Sequence, residues 1–194
     1  YNCFNLNFYK NFYLRENLAP SINTTDDELI NNTTNLLEYL TNKAELNTTW
    51  FSEKDILHMK DVRTLYNVSF NLMIFFIIIF ILSTILIALV YKNYTMFYIT
   101  KTFNKTLLAF ILLVIVLAGI ISYNFTSFWI KFHQLLFTND LWLLSPEESN
   151  LIKMVPEQFF ISLITTIILH ILILFVSLLV VNNIFKKKFK IIST

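Results

Sequence analysis

The pattern of hydrophobic positions along the chain predicts an all-α integral membrane protein. Three apolar segments, residues 68–90, 106–123 and 159–181, are close to the roughly 20 helical residues that cross a bilayer core. A single glycine and three prolines leave few of the turn residues that strand-rich folds require. We therefore expect a bundle of three visible transmembrane helices, four in the intact protein, capped by a small and mostly helical extracytoplasmic domain.

Two further helices are predicted before the first apolar segment. In residues 25–42, leucine and isoleucine recur on one stripe, and three acids stand in the first turn, where the helix dipole favours them. The next helix begins near Ser52, a plausible N-cap with Asp55 three residues later, and no breaker separates it from the first span. The aromatic-rich residues 1–14 show no helical period, so we expect a strand or an interfacial segment there.

The distribution of charge predicts the orientation of the spans. Residues 91–105 carry three lysines and residues 182–194 carry four, with no acid in either segment. Residues 1–67 and 124–158 each carry more acids than bases. Because basic connectors stay in the cytoplasm, we expect 91–105 to be a cytoplasmic loop and 182–194 a cytoplasmic tail. The two acidic segments are then extracytoplasmic.

The composition agrees with the membrane class. Hydrophobic residues make up 56% of the chain and charged residues 14%, with a mean hydropathy of +0.59, whereas soluble domains carry about 25% charge. The one cysteine, Cys3, excludes an intrachain disulfide. The chain starts at Tyr1 with no export signal before its extracytoplasmic domain, so we expect an upstream span that is cleaved or absent.

Residues 128–157, between the second and third spans, hold most of the candidate chemistry: His133, Asn139, Asp140, Trp142, Pro146, Pro156 and Glu157. A plain connector needs only a few turn-forming residues. His58 and His133 each lie about nine or ten residues beyond the outer end of a span, which is a similar height if both helices continue. We therefore expect the two imidazoles to meet just above the outer membrane surface, where the ester bonds of lipids lie.

Each candidate residue also has a purely structural interpretation. Asp61 shares a helical face with His58 and would orient its ring, but the same string is also typical of a solvated surface. His133 follows an aromatic residue, which is common for a packed or interfacial histidine. Trp142 is equally typical of an interfacial anchor. His170, near the middle of the last span, favours a hydrogen bond between helices over a functional role.

Several classes of site are absent from the sequence. It contains no glycine-rich phosphate loop, no zinc-binding spacing of Cys and His, and no nucleophile elbow. We therefore expect no metal, no cofactor and no nucleic-acid partner. A Ser-His-Asp hydrolase stays open, because its members need not be sequential. Asn139 and Asp140 would either orient a substrate headgroup or cap a turn, and Pro146 and Pro156 are typical of the starts of short helices.

Two strings taken together carry a family resemblance. They are HMKDV at residues 58–62 before a span and FHQLLFTNDLWLLSP at residues 132–146, continued by LIKMVPEQFF at residues 151–160. The chain from about residue 39 to residue 160 resembles the bacterial lipoprotein intramolecular transacylases, the Lit family. Members of that family have four spans, so the resemblance implies a first span upstream of Tyr1.

The resemblance implies an acyltransferase of the bacterial plasma membrane with its active site on the extracytoplasmic side. Its substrates would be diacylated lipoproteins within the membrane lipids. The sn-2 acyl chain would move to the α-amino group of the lipid-bearing cysteine, giving the lyso-form. The family's essential histidines map onto His58 and His133, and the supporting residues would be Asp61, Asn139, Asp140 and Trp142.

Two other functions compete with this one. In a membrane lipid hydrolase or phospholipid acyltransferase, His133 would activate water or an alcohol. In a non-enzymatic envelope sensor or assembly subunit, the outer domain would be a binding module. The first predicts free fatty acid or altered phospholipid, and the second predicts that both histidines tolerate alanine.

Overall fold

The computed structural model describes residues 2–192, and the side chains of residues 3–187. The described residues form helices and turns, with no strand among them. The α-helices of this part of the chain are α1 (Leu6–Arg15), α2 (Leu18–Ser21), α3 (Asp26–Leu40), α4 (Glu53–Tyr91), α5 (Thr95–Tyr123), α6 (Phe125–Leu136), α7 (Asn150–Met154) and α8 (Glu157–Ile192). The all-α class is thus confirmed, whereas Lys188 and Lys190 of the expected basic tail lie outside the described side chains.

Two helical stretches of the described chain are long and apolar enough to cross a membrane. They are Glu53–Tyr123, which contains α4 and α5 joined by a 3-10 turn at Lys92–Tyr94, and Glu157–Lys187. No residue in the most apolar part of either stretch is buried against protein. A core helix of a soluble protein would be covered, so these surfaces are suited to lipid. The expected number of three spans stays a prediction.

The chain divides into two compact units. The first comprises the residues up to Phe70 together with Thr126–Ile164, and the second comprises Asn71–Phe125 and the residues from Thr165 onward. In the first unit, Phe159 is 1% exposed and lies against the rings of Tyr9 and Phe12, with centroid distances of 4.7 and 5.2 Å. This aromatic cluster fixes α1 against the start of α8.

Helix α1 corrects the expectation of a strand within residues 1–14. Its buried residues Tyr9, Phe12 and Tyr13 follow the i, i+3, i+4 spacing of a helical face. The surrounding aromatic residues hid this period in the sequence. The Tyr13 hydroxyl shares a 2.8 Å hydrogen bond with the Thr33 hydroxyl of α3, and both groups are buried. Helix α1 is therefore stabilised by its bond to Thr33, 20 residues away, as well as by the burial of its own apolar face.

Both helices predicted before the first apolar segment are present. Thr25 caps α3, because its hydroxyl accepts a bond from the backbone N–H of Glu28 at 3.2 Å. At the start of α4, the Ser52 hydroxyl accepts from the N–H of Asp55 at 3.2 Å, and the Asp55 carboxylate accepts from the N–H of Ser52 at 3.1 Å. This reciprocal capping box satisfies donors that a helix start otherwise leaves free. Helix α4 then continues unbroken to Tyr91.

The segment after α6 differs from the expected pair of short helices. Residues 146–148 form a turn, and α7 starts at Asn150 because Ser149, whose hydroxyl accepts from the N–H of Ile152 at 3.1 Å, is the cap. Pro156 does precede a helix, but that helix is α8, which runs for 36 residues. The expected cytoplasmic loop 91–105 is mostly helical, since α5 begins at Thr95.

In the second unit, an asparagine cluster joins α5 and α8. Asn182 is buried and donates from Nδ2 to the carbonyl of Thr100 at 3.1 Å and to Oδ1 of Asn104 at 2.6 Å. Asn104 in turn donates to Oδ1 of Asn183 at 2.7 Å. Where lipid removes the hydrophobic drive between helices, such bonds contribute to helix association.

Replacing Phe159 with alanine tests the aromatic cluster. The variant loses a fully buried ring and leaves a cavity, so we expect a destabilisation of about 3–5 kcal/mol and a clearly lower thermal unfolding temperature in detergent. Phe80→Ala is the control, because that ring is 71% exposed. Equal unfolding temperatures for the two variants would contradict the assignment of Phe159 to the core.

Candidate active site

His58 of α4 and His133 of α6 lie side by side in the first unit. Their ring centroids are 6.0 Å apart and the ring planes are inclined by 34°. Each histidine is only 7% exposed. The sequence predicts that these imidazoles meet although 75 positions separate them, and the structure confirms that proximity.

The turn that carries His58 is fixed by the capped start of α4. His58 lies one helical turn after Asp55, whose side chain is fully buried. Asp55 Oδ1 accepts a hydrogen bond of 2.5 Å from the hydroxyl of Ser149. The first turn of α4 is thereby attached to the segment that leads into α7.

His133 is oriented by its own helix. Its Nδ1 lies 2.8 Å from the carbonyl oxygen of Trp129, one turn earlier in α6. A carbonyl only accepts, so Nδ1 carries the proton and Nε2 keeps its lone pair in the neutral ring. The imidazole is therefore prepared to accept a proton at Nε2.

Aromatic rings enclose the two imidazoles. Phe137 contacts both, with centroid distances of 5.3 Å to His58 and 5.7 Å to His133. Trp129 meets the ring of His133 edge-on at 4.6 Å, and Trp142 lies over it at 5.0 Å. The enclosure reduces the access of water to both histidines.

The histidines line a mainly apolar cavity of about 310 Å³ within the first unit. Its wall includes side chains from α3, α4, α6, α7 and α8, among them Leu36, Leu40, Val62, Leu65, Ile152 and Leu163. Cavities with an apolar wall and a few converging polar groups are typical of small-molecule and lipid sites. Here the converging polar groups include the two imidazoles, beside the side chains of Cys3, Tyr9, Trp129 and Trp142.

Burial keeps both histidines neutral at neutral pH. The pKa of His58 is lowered from its usual 6.5 to about 4, first by burial and then by His133, against the opposing effect of the carboxylates of Asp61 and Asp55. Burial also lowers the pKa of His133, and its bond to the Trp129 carbonyl opposes this. Nδ1 of His58 is buried without a hydrogen-bond partner. Because a buried N–H rarely lacks an acceptor, the proton of neutral His58 belongs on Nε2.

Asp61 and Asn139 are joined to each other. The Asn139 amide donates from Nδ2 to Oδ2 of Asp61 at 2.8 Å, and its Oδ1 accepts from the N–H of Leu141 at 3.0 Å. Asp61 therefore acts on His58 through its charge, and its hydrogen bond goes to the loop rather than to the ring. The same asparagine shapes the turn that places Trp142 over His133.

Asp140 lies outside the wall of the histidine cavity. It is exposed and lines a separate surface recess of about 350 Å³, together with Asn139. Phe137 and Trp142 contribute to the walls of both spaces. His170 belongs to the second unit and does not line the cavity.

Several contacts of this site were not predicted from the sequence. The Asp55–Ser149 bond, the Trp129 carbonyl and the ring of Phe137 were not predicted as parts of it. Asp55 carried a local capping pattern, but its buried partner is 94 positions away. Among the described residues, no cluster of three or more His, Cys, Asp or Glu side chains could hold a metal ion.

Comparison with known proteins places the chain among lipoprotein transacylases. A family model described as lipoprotein intramolecular transacylase Lit matches residues 1–160. The in meso structure of the membrane integral transacylase Lit from Bacillus cereus is 26% identical, with a TM-score of 0.77 over 96% of this chain and 87% of that one. A histidine-to-arginine variant of that enzyme is 25% identical, with a TM-score of 0.73 over 97% and 84%. No curated protein matches the chain in sequence.

The lowered pKa of His58 predicts a specific dependence of stability on pH. The unfolded chain binds a proton at His58 below about pH 6.5, and the folded chain binds it only near pH 4. Stability therefore falls as the pH drops through this window. We expect the unfolding temperature to decrease less between pH 8 and pH 5 in His58→Gln than in the wild type. An equal decrease in both proteins would contradict the burial of His58.

Asn139→Ala tests whether the Asn139–Asp61 bond holds the loop of residues 139–144 against α4. Losing the bonds to Asp61 and Leu141 should free the segment around Trp142, so hydrogen–deuterium exchange of residues 139–144 should become faster. Thr138→Ala, at the exposed neighbouring position, should leave that exchange close to the wild-type rate. Unchanged protection in Asn139→Ala would show that the turn does not depend on this side chain.

Proposed function

Because the chain belongs to the lipoprotein intramolecular transacylase family, an acyltransferase family, we propose that it makes lyso-form lipoprotein from a diacylglyceryl lipoprotein. The acyl chain leaves the sn-2 ester of the glycerol and joins the α-amino group of the N-terminal cysteine. The observation that carries this proposal is the pair of neutral imidazoles, 6.0 Å apart, on the wall of a mainly apolar cavity.

The reaction needs proton transfer and positioning, and no cofactor. The amine nitrogen attacks the ester carbonyl and loses a proton, an amide bond forms, and the carbon–oxygen bond to glycerol breaks. The glycerol oxygen then takes up a proton, so the overall exchange consumes no water. Since amine and ester belong to one molecule, holding them in attack geometry supplies much of the acceleration.

In this proposal, His133 is the general base. Its Nδ1–H is engaged by the Trp129 carbonyl, which leaves Nε2 to take the proton from the attacking amine. The carbonyl oxygen also stabilises the imidazolium that forms, because it accepts a hydrogen bond from it. His133 then returns the proton to the departing glycerol oxygen.

His58 has the complementary role. Its pKa of about 4 makes it a poor base at neutral pH. With the proton on Nε2, the neutral ring can donate a hydrogen bond to the oxyanion of the tetrahedral intermediate. Fixed donors in a water-poor site stabilise such charge strongly, because a low dielectric constant screens the interaction between donor and oxyanion only weakly.

The apolar wall of the cavity suits the acyl chain that is moved. Leucine, valine and isoleucine side chains from several helices would contact the methylene groups. The neighbouring recess, which shares Phe137 and Trp142 with the cavity, would hold the polar part of the substrate. Asn139 shapes this recess, and Asp140 supplies a negative charge at its edge for the substrate's ammonium, which loses one proton to solvent before the resulting amine attacks.

We place the site on the extracytoplasmic side of a multi-pass protein in the bacterial plasma membrane. Lysine-rich residues 91–105 and 182–194 remain in the cytoplasm under this orientation. His58 precedes the apolar residues starting at 68 by roughly 15 Å of continuous helix. That is a suitable height for ester bonds of lipoproteins in the outer leaflet.

Alanine at either histidine tests the proposal. We expect His58→Ala and His133→Ala, expressed in cells that make diacyl lipoproteins, to lower lyso-form product by roughly 10²- to 10⁴-fold, because each removes a proton-transfer or oxyanion-stabilising group. Mass spectrometry of lipoprotein N-termini provides the measurement.

His170→Ala is the matched control, because it removes an imidazole that does not line the cavity. Product at the wild-type level from either cavity variant would contradict the two-histidine mechanism. Free fatty acid in place of N-acylated peptide would show that the protein is a hydrolase.

A further inference from the structure

Asp55 is more deeply buried than a capping residue needs to be. Its side chain is 0% exposed and it makes no ion pair among the described residues. Its carboxylate accepts one bond from the Ser52 N–H and another from the Ser149 hydroxyl. A capping box works equally well at an exposed helix start. Burying an unpaired carboxylate is unfavourable, so the buried position needs another explanation.

Ser149 extends this bond into the wall of the cavity. Its hydroxyl donates to Asp55 and accepts from the N–H of Ile152, which caps α7. Leu151, Ile152 and Val155, in and just after this short helix, line the cavity that contains the histidines. The Asp55 carboxylate thus connects the turn before His58 with the part of the cavity wall formed by α7 and Val155.

We propose that Asp55, held by Ser149, is a positioning residue for His58: it fixes the turn of α4 that carries the imidazole and supplies a buried negative charge one helical turn away. The proposal rests on the transacylase function argued above, and it adds a residue that acts through His58 without contacting the substrate. Loss of the bond should allow the start of α4 to shift relative to α7.

The charged and titratable groups that act on His58 come from two elements. Asp55 and Asp61 lie on α4, and His133 lies on α6. The two carboxylates oppose the lowering of the His58 pKa, and His133 adds to it. Removing the charge of Asp55 should therefore lower the pKa of His58 further, whereas removing the Ser149 hydroxyl leaves that charge in place.

Ser149→Ala removes the bond and keeps the charge of Asp55, whereas Asp55→Asn removes the charge and the oxygen that accepts the bond from Ser149. Asparagine keeps the size and can still accept from the Ser52 N–H. Both variants should lower kcat roughly ten- to a hundredfold with little change in KM, because a small displacement of a catalytic group costs this much. The double variant should be no slower than the slower single variant, since both remove one bond. Asp27→Asn, in the exposed first turn of α3, is the control.

Titration of ¹⁵N-labelled histidines by NMR in detergent gives a readout that does not depend on activity. We expect a lower midpoint for His58 in Asp55→Asn, and a folded spectrum with the His133 Nδ1–H tautomer retained. His58→Gln and His133→Gln assign the two signals. An unchanged His58 midpoint together with wild-type kcat in Asp55→Asn would overturn the proposal.

Two further outcomes are informative. If Asp55→Asn does not fold, Ser149→Ala decides the matter: wild-type kcat in that variant overturns the proposal, and a folded protein with reduced kcat supports it. If the wild-type protein makes no N-acylated product, the proposed function fails. The His58 titration then still shows whether Asp55 acts on that ring.

Discussion

The site depends on the burial of two neighbouring imidazoles in one enclosure. His58 and His133 share an aromatic enclosure, so charge on one opposes charge on the other, and burial opposes charge on both. Both rings are consequently neutral where an exposed histidine would be partly charged. In this neutral pair, Nε2 of His133 has a free lone pair that can accept a proton, and the Nε2–H of His58 can donate a hydrogen bond. Acyl transfer between an amine and an ester needs this combination in one place.

The rest of the first unit holds that pair in position. Each imidazole is fixed by a different device: a capped and buried helix start for His58, and a carbonyl one turn earlier for His133. The loop that carries Trp142 is tied to α4 through Asn139 and Asp61. The bonds that fix the two imidazoles are local, whereas the Asn139–Asp61 and Ser149–Asp55 bonds link segments that lie far apart in the sequence. The site is therefore held by local bonds within α4 and α6 together with tertiary bonds, rather than by any single motif.

Local patterns were sufficient for much of the fold. The cap at Ser52, the absence of a breaker after it and the apolar runs predicted α4 and the membrane class, because those features act within a few residues. The proximity of the histidines followed from their similar distance to a span. The helix within residues 1–14 was missed, since an excess of aromatic residues obscured its period. The bonds of Asp61 to Asn139 and of Asp55 to Ser149 could not be predicted either, because they depend on how α4 packs against loops about 80 to 95 positions later.

Membership of the family indicates an acyl transfer, and the geometry indicates how His58 and His133 would perform it. A structure of the protein with a synthetic N-acylated lyso-form lipopeptide, the proposed product, tests this most directly. We expect the new amide to lie between the two rings, with its oxygen about 3 Å from a His58 nitrogen, and the acyl chain to fill the apolar cavity. A lipopeptide bound with its amide away from both imidazoles, and with the cavity empty, would contradict the two-histidine mechanism.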